Sequence, residues 1–139
     1  MVKVITGKRG SGKTKTFIDN INESIKDAKG DIICIENSTK LTYDVSYKVR
    51  LIDASRFHIE SFRSFYGFIA GMLASNYDIE KIYVDGILRI CGRTFEGSVD
   101  SLENLFKELS DLTGSGSDII FTISADDSEL PESILKMKI

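Results

Sequence analysis

Residues 7–14 read GKRGSGKT and stand between the apolar run VKVIT and a helical pattern that starts at Lys13. Gly7, Gly10 and Gly12 remove the Cβ atoms from this short turn and permit positive φ, so consecutive backbone N–H groups can converge on one anion. A helix beginning directly after such a turn adds the positive end of its dipole to the same space. The segment therefore constrains the chain to strand, anion-binding turn and helix from its first residues, and every later element has to be arranged around that unit.

The later pattern alternates apolar runs with helical periods. After VKVIT (2–6), the positions Phe17, Ile18, Ile21, Ile25 and Ala28 fall at helical spacing, with Gly30 as a C-terminal cap. DIICIE (31–36) reads as a buried strand followed by the turn NSTK, and a third strand is expected within 47–54. Phe62, Phe65, Ile69, Met72 and Leu73 mark a second helix ending near Asn76, and KIYVDGI (81–87) a fourth strand. Ser98 or Ser101 opens a third helix with Leu102, Leu105, Phe106, Leu109 and Leu112 as its apolar stripe, and DIIFTIS (118–124) is the fifth strand. Pro131 can start a short helix through residues 133–136, with the final residues adding an edge strand. Strands that are apolar throughout and separated by helices indicate a parallel sheet covered on both faces. The expected fold is a three-layer α/β/α sandwich with a mainly parallel sheet of five strands, or six if the tail adds one. At 139 residues and 42% apolar composition, residues 1–139 are expected to form a single domain, with no room for a separate substrate domain.

Charge narrows the partners. A net charge of -3 disfavours a dedicated nucleic-acid binder, which needs a basic balance. The charge is uneven, with seven Lys or Arg against three acids over residues 1–29 and three Lys against ten acids over residues 96–139. That split fits either a polyanion-facing edge or two differently solvated surfaces. Cys34 and Cys91 stand far apart within apolar runs, which predicts buried reduced thiols rather than a metal or redox pair. No run approaches the ~18 apolar residues of a membrane span, so a cytoplasmic protein is expected.

GKRGSGKT matches G-x-x-x-x-G-K-[ST] in full, with Gly7, Gly12, Lys13 and Thr14 at the fixed positions. Average residue usage yields such a match by chance on the order of once in 10⁴ to 10⁵ positions. In this setting Lys13 supplies a mobile positive charge for β- and γ-phosphates, and the Thr14 hydroxyl can ligate Mg²⁺. On these residues the segment is identified as a Walker A motif, and the chain resembles P-loop NTPases. The resemblance implies ATP and Mg²⁺ as ligands, held by a cradle of Gly7, Lys8, Arg9, Gly10, Ser11, Gly12, Lys13, Thr14 and Lys15.

A P-loop that uses Mg·ATP also needs a carboxylate at the end of a nearby buried strand. In KIYVDG, Ile82, Tyr83 and Val84 lead to Asp85, which resembles the Walker B aspartate, although an Asp at a strand end is also an ordinary turn residue. Many P-loop ATPases have a water-polarising glutamate next, where this chain has Gly86. RecA-like ATPases instead carry that glutamate at the end of the strand after the P-loop helix, and DIICIEN has Glu36 there. They also place a polar γ-phosphate sensor near the end of the strand between the Walker A and Walker B strands. That resemblance points to Thr122 and Ser124, with Ser124 preferred; Ser124 is equally suited to capping the turn into ADDSELP. Lys13, Glu36 and Ser124 are thus the candidate catalytic residues, and Thr14 and Asp85 the candidate metal ligands.

Arg50, Arg56 and Arg63 precede or open the second helix, whereas Arg89 and Arg93 follow Asp85. Arg93, in the loop GRTFEG, is best placed to reach the ligand-bearing edge of the sheet. A charge-stabilising arginine could also come from a second copy or a protein partner. Phe62, Phe65, Tyr66 and Phe68 fit a core stripe better than a base-stacking surface. Three functions follow in order: a Mg-dependent ATPase with weak or partner-stimulated hydrolysis, a small nucleotide or nucleoside kinase, and a non-catalytic nucleotide-gated interaction module.

Overall fold

The apolar runs form one five-stranded parallel sheet in a computed structural model that describes all residues except 39, 42 and 43. Thr39, within the NSTK turn, therefore lies outside the described residues. The strands are β1 (Val2–Thr6), β2 (Asp31–Glu36), β3 (Arg50–Asp53), β4 (Ile79–Val84) and β5 (Asp118–Ile123). The helices are α1 (Lys13–Asp27), α2 (Phe62–Ser75), α3 (Ile87–Ile90), α4 (Val99–Thr113) and α5 (Glu132–Leu135). The strand order is β1-β5-β4-β2-β3, and all pairings are parallel. This is the α/β sandwich expected, and the last strand in sequence sits between β1 and β4.

Alternation along each strand divides the core in two. Val4, Ile35, Val84 and Phe121 face α2 and α4, where Phe65, Ile69, Leu102 and Phe106 are fully buried. Ile5, Cys34, Tyr83 and Ile120 face the other way, onto Phe17 and Ile21 of α1 and the segment of Leu41, Val45 and Val49. Aromatic pairs lock both layers: Phe106 packs on Phe121 at 4.7 Å between ring centres, and Phe17 meets Tyr83 edge-on at 5.7 Å. The Tyr83 hydroxyl does not stay unsatisfied under α1; it bonds Ser24 Oγ and the Asn20 side-chain oxygen, both at 2.6 Å.

Several boundaries differ from the sequence expectations. β4 starts at Ile79 and ends at Val84, because Gly86 takes a left-handed φ of 75° and ends the extended run. Pairing steps from Asp31↔Ile79 to Ile32↔Lys81, leaving Glu80 as an extra residue whose carboxylate accepts from the Lys29 and Gly30 N–H groups. Gly30 does not cap α1, whose C-cap is Ala28; a Cβ at Gly30 would instead collide with the Asp78 carbonyl. Ser98 opens α4 without a side-chain hydrogen bond, and Leu112, the last member of its stripe, is 39% exposed. The tail pairs with β1 as an isolated parallel bridge, Val4↔Lys138, with Val4 N–H donating to Met137 O and Ile139 N–H to Val4 O. Among the described residues, no helix is long and apolar enough to cross a membrane.

Candidate functional site

The parallel pairing brings the C-terminal ends of β1, β5, β4 and β2 to one edge, where the turn after each strand is free to carry polar groups. The turn after β1 is closed by Ser11 N–H donating to Lys8 O at 3.0 Å. Gly12 then opens α1 in the left-handed region, at φ 88° and ψ 11°, and no side chain caps the helix. A glycine is required for that backbone, and the absent cap leaves first-turn N–H groups for an external acceptor. At the other end of the turn, a Cβ on Gly7 would run into Ser11 Oγ. Gly7 N–H donates to Ala125 O at 3.1 Å, tying the turn to the loop that follows β5.

Around this turn is a cavity of about 680 Å³ lined by Arg9, Gly10, Lys13 and Thr14 on one side and by residues 85–89 and 93–95 on the other, with Thr122, Ile123 and Ser124 between them. Its charged lining comprises four cations, Arg9, Lys13, Arg89 and Arg93, and one carboxylate, Asp85. Lys15 points elsewhere, pairing with Asp19 at 2.9 Å one turn along α1. Lys8 lies near Asp126, whose carboxyl is held below its ordinary value mainly by the Ser128 hydroxyl and backbone N–H, and to a smaller degree by Lys8.

Asp85 is fixed by its neighbours on both sides. Its backbone N–H donates to Ile35 O at 2.9 Å, and its Oδ1 accepts the Thr122 hydroxyl at 2.7 Å. Thr122 Oγ1 in turn accepts the Gly86 N–H at 2.9 Å. Thr122, 2% exposed, thus spans from β5 to the Asp85–Gly86 peptide, while Asp85 Oδ2 has no protein partner among the described residues. Of Thr122 and Ser124, the resemblance to RecA-like ATPases prefers Ser124 as the phosphate sensor. In the fold Ser124 is exposed and lines the cavity, and Thr122 orients the carboxylate.

Glu36 is placed differently. It ends β2 next to Asp85, but its side chain lines a neighbouring cleft of about 410 Å³ with Arg50, Asp53 and Arg56. It is 6% exposed, and its carboxylate accepts the Leu41 N–H at 3.0 Å. Beneath these two carboxylates the Cys34 thiol is pushed strongly upward, chiefly by burial and secondarily by Glu36 and Asp85. Cys91, under the 86–95 segment, is pushed up to about 12 by burial, with Arg93 opposing. Both cysteines are buried and free.

Arg93 reaches the cavity, and its guanidinium also donates to the Cys91 and Gly92 carbonyls at 3.4 Å. Arg89 is the second cation of that segment, and sequence spacing gave it no preference. Its guanidinium lies across Gly86: a Cβ built there would be 2.6 Å from Nη2 and 3.1 Å from Nε.

Among the described residues no cluster of three or more His, Cys, Asp or Glu side chains is arranged to hold a metal ion. A Mg²⁺ ion takes only one or two protein ligands and completes its shell with water and phosphate oxygens, so it does not require such a cluster. Thr14 and Asp85 line one cavity, and a hydroxyl and a carboxylate are oxygen donors of the kind that ion takes.

The architecture is shared with a solved structure, the flagellar accessory protein FlaH from Methanocaldococcus jannaschii. The match has a TM-score of 0.57 at 18% identity, over 97% of this chain and 65% of that one. The chain therefore spans just under two thirds of that protein's length, and the likeness is one of fold, an α/β architecture with a parallel sheet. No family model matches the chain, and no curated protein does.

Proposed function

We propose that the chain binds ATP with Mg²⁺ and is a weak or partner-stimulated ATPase. The observation that carries this proposal is the meeting of Lys13, Thr14 and Asp85 in a single cavity against an uncapped helix N-terminus. The first-turn N–H groups and Lys13 bind phosphate oxygens, and Thr14 and Asp85 hold the metal. When bound, Mg²⁺ neutralises charge on the β- and γ-phosphates. Thr122 keeps the Asp85 carboxylate turned toward the cavity, and Ser124 supplies a hydroxyl at its floor.

Weak turnover is supported by the cavity lining, whose single carboxylate is the metal-side Asp85. In this proposal Glu36 is the base that orients the attacking water, and it acts after releasing the Leu41 N–H. Hydrolysis then depends on separating the Glu36 carboxylate from the Leu41 N–H, which a partner can promote. Steady-state phosphate release from Mg·ATP is expected to fall at least ~10-fold in Glu36→Gln with nucleotide affinity retained. Unchanged turnover in that variant removes Glu36 from the mechanism. Tight binding with no turnover in the parent protein instead makes the chain a nucleotide-gated interaction module, a reading favoured by the same engagement of Glu36 with Leu41.

A further inference from the structure

We infer that Arg89 is the residue that distinguishes a nucleoside triphosphate from a diphosphate, and that Gly86 is the seat that lets it do so. The inference rests on the nucleotide-binding proposal and assigns the terminal phosphate of that ligand to a particular side chain.

Gly86 adopts a φ of 75°, a backbone that favours glycine, directly after the metal-side Asp85. Its N–H is taken by Thr122 Oγ1, so the peptide is fixed. The space that a side chain at this position would fill is occupied by the Arg89 guanidinium. One position thus lacks a carboxylate and accommodates a cation. Ile87, Ile90 and Cys91 are buried and anchor the short helix α3, which leaves Arg89 exposed on the cavity side. Among the described residues the Arg89 side chain forms neither an ion pair nor a hydrogen bond, unlike Lys15, Lys26, Arg63 and Lys138, which are each paired with a carboxylate.

Position decides which phosphate Arg89 meets. The P-loop follows β1, the Arg89 segment follows β4, and β5 lies between the two strands. Lys13 and Arg89 therefore face one cavity from opposite flanks, with Asp85 beside Arg89. A nucleotide whose inner phosphates lie in the cradle extends its last phosphate toward the β4 side. A guanidinium there donates charge-assisted hydrogen bonds to a group that the diphosphate lacks. Its planar fork suits a phosphate better than an ammonium does, which distinguishes its role from that of Lys13.

The test is parallel calorimetric titration of a non-hydrolysable ATP analogue and of ADP, both with Mg²⁺, into the parent protein, Arg89→Ala and Gly86→Ala. Arg89 is exposed, so its truncation is expected to leave folding intact, as checked by circular dichroism. In Arg89→Ala the triphosphate affinity is expected to fall ~10-fold or more while ADP affinity changes by less than ~3-fold. Gly86→Ala retains the arginine but displaces it and is expected to shift the same ratio. Equal losses for both nucleotides in Arg89→Ala, or no loss for either, overturn the inference. Failure of the parent protein to bind either nucleotide refutes the nucleotide-binding proposal itself.

Discussion

At the scale of single residues, the site depends on side chains that are far apart in sequence. Lys13 and Thr14 were legible because the cradle is contiguous, and Asp85 because it ends an apolar run. The contacts of Thr122 and Arg89 were not. Thr122 is 37 positions from Asp85, and only the placement of β5 beside β4 lets its hydroxyl reach that carboxylate. Arg89 gains its meaning from the left-handed backbone of Gly86, which composition and spacing do not encode. In the proposed site Thr122 acts through Asp85 and is a positioning residue. Thr122→Val, nearly isosteric, leaves Asp85 Oδ1 and the Gly86 N–H without this partner. The Mg²⁺ concentration giving half-maximal nucleotide binding is expected to rise ~10-fold, and Thr122→Ser to restore it. A stability loss with an unchanged Mg²⁺ requirement would mean that Thr122 is structural only.

At the scale of elements, hydrophobic periodicity located every strand and the three long helices because both sheet faces are buried. Ends were less legible, since they depend on contacts between elements. Gly30 is needed for the close approach of the Asp78 carbonyl from the turn before β4, which no local rule predicts. The tail is held in a similar way. Asp127 accepts the Thr6 hydroxyl and the Lys138 ammonium, each at 2.6 Å, and so joins the end of β1, the loop after β5 and the residue bridged to Val4. The Lys138 hydrogen bond, then that from Thr6, hold its carboxyl below the ordinary value of 3.8. A carboxyl lowered in the folded state adds stability that is present above its unfolded value and lost as pH falls through the folded one. Asp127→Asn is therefore expected to lower the melting temperature at pH 7 and to shrink the loss of stability seen below pH 3.8, with the difference reduced by salt. Parallel melting curves in which parent and variant lose stability equally on acidification would exclude this clasp.

At the scale of the whole molecule, the order of the elements along the chain indicated a parallel sheet, but not which strands are neighbours. That β5 lies between β1 and β4 followed only from resemblance to RecA-like ATPases, and the fold bears that out; the places of β2 and β3 were not indicated. The uneven charge is also resolved in part: Arg9 and Lys13 from the basic N-terminal region converge with Arg89 and Arg93 on the cavity. Attraction of a polyanion, as the proposed function requires, would then be local to that edge and compatible with a net charge of -3. The central claim is that this edge binds Mg·ATP through the P-loop. Its most direct test is equilibrium titration of Mg·ATP into the parent protein and Lys13→Ala, with folding of the variant verified by its melting curve. The account predicts saturable binding in the parent and a loss of at least ~10-fold in affinity in the variant. Equal affinity in the two proteins, or no binding by the parent, would contradict it.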